Sequence, residues 1–179
     1  MVYKEGEIKK GRNLLAFEVA KRNVYNFLKV ELECVKNGDA IKILALEKTY
    51  EETIIHPDLP FPVLIKGNVD RIEERNGIIR IIDYKTGKPK RYIFQKPSWK
   101  GVSPYGGVYW RQLAFYQLLF EGHNQDGLLV EEAKLIFLEE GLSSASREVV
   151  ITLESNDLVA FKNLPQEVNA KIQAHDFYR

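Results

Sequence analysis

Gly67-Asn68-Val69-Asp70-Arg71-Ile72, the pair Asn76-Gly77, and Ile81-Ile82-Asp83-Tyr84-Lys85-Thr86-Gly87 decide how this chain is read. Residues 63–72 read as a strand, Asn76-Gly77 as a hairpin turn, and residues 78–84 as the return strand. The density of Ile78, Ile79, Ile81 and Ile82 predicts a strand buried on both faces. Side chains two apart on a strand share a face, so Asp83 and Lys85 emerge together where that apolar strand ends. Asp70 lies near the end of the partner strand, where the hairpin register can bring it close to Asp83.

Outward from this hairpin the periodicity changes. Leu14, Phe17, Ala20, Val24, Phe27, Leu28, Leu32 and Val35 recur at helical spacing, which predicts a helix over 13–36 with Asn13 as N-cap and Asn37-Gly38 as its stop. Residues 40–54 suit strand structure. Pro turns then follow at His56-Pro57-Asp58 and Leu59-Pro60-Phe61-Pro62. Residues 88–108 form a long segment rich in Pro, Gly, Lys and aromatics, the kind of loop that is usually functional. A helix over 109–121, strands over 132–138 and 148–153, and a final helix over 157–175 complete an α/β order. The whole chain, 1–179, reads as a single domain with its core over about 13–155 and an extra C-terminal helix over about 156–176.

Composition narrows the classes. Lys plus Arg is 26 against 25 Asp plus Glu, net +1, which excludes a basic tail or an acidic disordered chain as the whole molecule. No apolar run reaches the length of a membrane span, and the charged lead over residues 1–7 has no signal-peptide pattern. Cys34 is the only cysteine, which excludes an internal disulfide, a Cys-rich zinc site and an iron–sulfur cluster, and leaves a cytoplasmic setting as the expectation. The charge is uneven. Residues 84–120 hold seven Lys and Arg with no carboxylate, while residues 121–179 hold 5 basic and 11 acidic side chains.

Two carboxylates converging at strand ends suit a hard divalent cation, Mg²⁺ or Mn²⁺, with oxygen ligands and retained waters. A lysine beside them suits phosphodiester hydrolysis, because the ion acidifies water and the ammonium stabilises charge on phosphoryl oxygens. A surface ion pair capping a hairpin gives the same Asp-x-Lys spacing, so the combination with Asp70 carries the reading. Gln112 and Tyr116 stand four apart on the later helix and present one polar edge, able to bond a phosphate or a base. An ordinary amphipathic face would look alike.

Together, Gly67-x-x-Asp70-Arg71-Ile72, Ile82-Asp83-Tyr84-Lys85-Thr86-Gly87 and Gln112-x-x-x-Tyr116 resemble the RecB-type branch of the PD-(D/E)XK nucleases, whose domains often accompany helicase-like proteins such as AddB. The resemblance implies a restriction-endonuclease-like αβββαβ core, a central mixed sheet flanked by helices. It implies Asp70, Asp83 and the Tyr84 backbone carbonyl as contacts for Mg²⁺ or Mn²⁺, and Lys85 as catalytic lysine. Gln112 and Tyr116 would organise the site and the DNA, and Glu47 is a possible additional acid. The implied role is DNA repair or recombination within a helicase–nuclease. Family members usually carry a histidine on an N-terminal helix, whereas His56, His123 and His175 all lie off the 13–36 helix. The expectation is therefore a C-terminal piece of a larger protein whose histidine helix lies upstream.

Lys88, Lys90, Arg91, Lys96, Lys100 and Arg111 interleave with aromatics that include Trp99. Cations neutralise phosphates and aromatics stack on unpaired bases, so this loop is expected to guide single-stranded or frayed DNA. The competing function is a non-enzymatic DNA-binding or scaffold domain with a nuclease fold, to which the missing histidine points. No GxGxxG, P-loop or nucleophilic triad supports a small-molecule enzyme.

Overall fold

The computed structural model describes residues 10–54, 62–88, 95–97, 106–124, 126–138 and 148–151, with 153 and 157. Its elements are α1 (Gly11–Lys36), β1 (Ile41–Ile54), β2 (Val63–Arg75), β3 (Ile78–Lys85), α2 (Val108–His123), β4 (Glu132–Phe137) and β5 (Glu148–Ile151). The strands form one mixed sheet in the order β1-β2-β3-β4-β5. Only β3 and β4 run parallel; the other neighbours are antiparallel. The parallel step requires a crossover, which α2 supplies. The final helix expected from the sequence lies outside the described residues except for Asp157, which is helical, and so do the Pro turns before residue 62.

The β2–β3 turn is Asn76-Gly77 as expected. Both residues have positive φ, 55° and 83°, the type I′ geometry that matches strand twist. β2 runs three residues beyond its sequence reading, because Glu73, Glu74 and Arg75 pair with Arg80, Ile79 and Ile78 despite their charge. The core lies between the sheet and α2. Val69, Ile72, Ile81, Leu135 and Phe137 of the sheet meet Trp110, Leu113, Ala114 and Leu119, all essentially without solvent exposure.

Helix α1 departs from the sequence reading in two ways. It starts at Gly11, after Lys10, so Asn13 is not its N-cap. Its least exposed positions are Asn23, Asn26, Phe27, Glu31 and Cys34, while Phe17, Val24, Leu28, Leu32 and Val35 stay exposed. Two described ties explain that orientation. Phe27 packs edge-on against Tyr84, and Glu31 pairs with Arg71 and Arg75. Among the described residues no helix is long and apolar enough to cross a membrane.

Candidate active site

The pairing of β2 with β3 runs from Arg75↔Ile78 to Arg71↔Ile82. Just past its last pair, the Tyr84 N–H donates to Asp70 Oδ2 at 2.9 Å, so a carboxylate takes a donor at the place where the ladder stops. In a strand the N–H and C=O of one residue face the same edge, so the Tyr84 carbonyl points toward β2 as well. Lys85, one residue on, turns its carbonyl the other way, to the Leu138 N–H.

Asp83 and Lys85 share the face of β3 that meets α2. Lys85 Nζ lies 2.6 Å from Asp83 Oδ2 and donates to Gln112 Oε1 at 2.9 Å. Gln112 Nε2 donates to Asp83 Oδ1 at 2.9 Å and to the Tyr116 hydroxyl at 2.8 Å. The amide thus uses its acceptor once and its two donors once each, which fixes its orientation. Four of the residues singled out in the sequence therefore form one closed network, with Asp70 tied to the backbone beside it. Tyr109, to which the sequence reading gave no role in the site, places its ring under Lys85 Nζ, 4.7 Å from the centroid. The signal for it was its place one turn ahead of Gln112 on the same helix.

Electrostatics mark Asp83 out. Burial raises its pKa; the hydrogen bond and charge of Lys85 pull it down, and the charge of Asp70 pushes it up again. Tyr116 is raised by burial, eased by the Gln112 hydrogen bond and pushed further by both aspartates. Asp83 is buried, and its Oδ2 is engaged by Lys85 Nζ at 2.6 Å. A buried carboxylate that feels the charge of a second carboxylate fits a hard cation. Among the described residues no three His, Cys, Asp or Glu side chains converge as a ligand set. Mg²⁺ is commonly held by one or two carboxylates with waters completing its shell.

The remaining candidates lie apart from this network. Glu47 falls on β1 between the pairs Leu46↔Arg71 and Lys48↔Val69, in register opposite Asp70. Its backbone is left-handed (φ 45°), and its carboxylate accepts from Asn68 Nδ2 at 3.1 Å. Lys88 is exposed at the mouth of the loop. Lys96 is exposed and pairs with Asp157 at 3.2 Å. Arg111, half-buried in the first turn of α2, donates to the Gly106 carbonyl. Lys90, Arg91, Trp99 and Lys100 lie outside the described residues, as do His56 and His175. His123, at the end of α2, is exposed and packs edge-on to Tyr50.

The sequence reading missed what stands behind the site. On the sheet face toward α1, Arg71, Glu73 and Arg75 are buried side by side. Glu73 contacts both arginines, and Glu31 of α1 reaches Arg71 at 3.0 Å and Arg75 at 2.7 Å. Burial opposes the charge of each arginine, yet the acids, with the Tyr84 hydroxyl at Arg71, leave both pKa values raised. The available signal was charge at every second residue, Arg71-x-Glu73-x-Arg75, on one strand face.

No curated protein matches the sequence. The crystal structure of SSO0001 is similar, with 21% identity, a TM-score of 0.37 and 82% of this chain covered; the chain spans 62% of that protein's length. The family model of the PD-(D/E)XK nuclease superfamily matches residues 11–178, from the first residue of α1 to beyond β5. That match takes in every element described above, and with its mixed sheet flanked by helices the chain belongs to the PD-(D/E)XK nuclease superfamily.

Proposed function

We propose that this chain is a deoxyribonuclease domain of the RecB type that hydrolyses phosphodiester bonds with Mg²⁺ or Mn²⁺. Asp70, Asp83 and the Tyr84 carbonyl would hold the ion, which supplies Lewis-acid polarisation and an acidified water when bound. The reading rests on one observation above all: Asp83, Lys85, Gln112 and Tyr116 are joined by hydrogen bonds and an ion pair, with Asp70 bound to the Tyr84 N–H. Lys85 is the catalytic lysine. Its ammonium, held between Asp83, Gln112 and the Tyr109 ring, stabilises negative charge growing on the phosphoryl group. Gln112 and Tyr116 keep that ammonium and the Asp83 carboxylate in register. Glu47 is a reserve acid on the neighbouring strand.

The substrate is DNA, with single-stranded or frayed ends favoured. Support comes from the seven cations and no carboxylates of residues 84–120, among them Lys88, Lys90, Arg91, Lys96, Lys100 and Arg111, with Trp99 for stacking. The match over 11–178 supports one nuclease-like domain across the chain. The RecB-type motifs, Gly67-x-x-Asp70-Arg71-Ile72 and Asp83-Tyr84-Lys85-Thr86-Gly87, support a place beside a helicase in DNA repair or recombination, and the single Cys34 supports a cytoplasmic setting.

Cleavage of end-labelled linear DNA, single- and double-stranded, with Mn²⁺ tests the proposal. Asp83→Ala and Lys85→Ala are each expected to reduce cleavage by about 10³-fold or more, while DNA binding persists. Cleavage that survives both substitutions sinks it. DNA binding without cleavage by the wild-type chain favours the scaffold reading, to which the lack of a histidine over residues 13–36 points.

A further inference from the structure

The backbone ladder between β2 and β3 ends at Arg71↔Ile82, one residue short of Asp70 and Asp83. Two side-chain bonds cross the gap beyond it, and both end on Tyr84. On the Lys85 side, the Tyr84 N–H donates to Asp70 Oδ2 at 2.9 Å. On the α1 side, Arg71 NH1 donates to the Tyr84 hydroxyl at 3.2 Å. Residues 70 and 71 of β2 are thereby tied to one residue of β3, through the two faces of the sheet. Tyr84 sits between Asp83 and Lys85, so fixing its ring and its N–H fixes the backbone that carries both.

The α1-side tie is itself held. Arg71 is buried, and its NH2 donates to Glu31 Oε2 at 3.0 Å. The Tyr84 ring packs edge-on against Phe27, one helical turn before Glu31, with centroids 5.3 Å apart. A buried guanidinium with fixed acidic partners cannot slide without losing charge-assisted bonds, so it anchors the phenol firmly.

We infer that Glu31, Arg71 and Tyr84 are positioning residues: from the face opposite Lys85 they set the spacing of Asp70 and Asp83, and with it the affinity for a divalent cation. This inference rests on the metal-site reading above. None of the three side chains touches the ion; each acts through the Tyr84 backbone or through Asp70. Residues that orient ligands from behind typically change metal affinity by about 10–100-fold when altered.

The test is Mn²⁺ binding to the full chain without DNA, followed by electron paramagnetic resonance of the free ion. Tyr84→Phe removes only the hydroxyl and keeps the ring against Phe27. Glu31→Gln keeps the shape on α1 and removes one of the two acidic charges on Arg71, leaving Glu73. Each is expected to weaken Mn²⁺ binding by about 10-fold, and the double variant no more than the stronger single, since both act along one path. A brace that served folding alone would lower the thermal midpoint and leave Mn²⁺ affinity where it was. Unchanged affinity in both variants, with binding abolished in Asp83→Ala, overturns the inference and leaves the metal site standing. A wild-type chain that binds no Mn²⁺ overturns both.

Discussion

The side-chain amide of Gln112 donates to Asp83 Oδ1 across 2.9 Å, so a helix residue orients a strand carboxylate. The same amide accepts from Lys85 and donates to Tyr116. Gln112→Leu removes all three bonds at similar volume, so that Lys85 and Asp83 keep their mutual ion pair but lose the amide that orients both. A catalytic group displaced by about 1 Å can cost about 10²-fold in rate, and a loss of that size is expected in single-turnover DNA cleavage. An unaltered rate in a folded variant would mean that Gln112 is only part of the core.

Asp83 carries the opposite of the usual stabilising shift. Burial is the main cause, and the Asp70 charge adds to it against the opposing pull of Lys85, so the folded pKa lies above the unfolded one. The folded state then binds more protons than the unfolded state between those two values, and stability falls as pH rises through that window. Below the ordinary carboxylate range the penalty vanishes; above the raised pKa it is constant. Metal-free Asp83→Asn is therefore expected to melt higher than wild type at neutral pH, with the gap closing in acid. Thermal melts across pH in a chelating buffer check this, and a gap that widens in acid refutes it.

Gly67 opens the motif for a reason of space. A Cβ there would stand 2.8 Å from Leu119 Cδ1 and 3.2 Å from Tyr116 Cε1. Leu119 is fully buried, so its methyl has little room to yield, and Tyr116 is bonded to Gln112. Gly67→Ala is expected to cost about 1–3 kcal/mol, the range for overpacking, and to slow cleavage by displacing Tyr116. Urea unfolding and a cleavage assay on the same preparation measure both effects. A stable variant of full activity would show that α2 can shift aside.

Much of this was legible in the residues themselves. The Asn76-Gly77 turn, the four-isoleucine strand and the spacing of Asp83, Lys85, Gln112 and Tyr116 are local signals, and the hairpin, α2 and the closed network follow them. The face that α1 turns to the sheet was not legible, because its apolar periodicity is set by Phe17, Val24, Leu28 and Leu32 while Glu31 and Phe27 make the described ties. A buried acid such as Glu73 reads as surface in sequence. Only the tertiary pairing of two arginines with a distant glutamate allows it inside.

That burial yields the sharpest stability test. Glu73 is fully buried, pairs with Arg75 Nε at 2.9 Å and contacts Arg71. Glu73→Ala removes one acid from between two buried guanidiniums and leaves Glu31 as their nearest described counter-charge, with Asp39 3.5 Å from Arg75. Breaking a buried pair on one side typically costs about 3–5 kcal/mol, because the remaining charge is left uncompensated. The loss should appear in urea unfolding and persist in high salt, since buried pairs are poorly screened. The exposed pair Lys66–Glu51, at 2.8 Å, offers the contrast: Glu51→Ala is expected to change stability little and to lose what effect it has as salt is added. A Glu73→Ala variant as stable as wild type would mean that the arginines find solvent or other acids, and that the network beneath α1 does not hold the sheet.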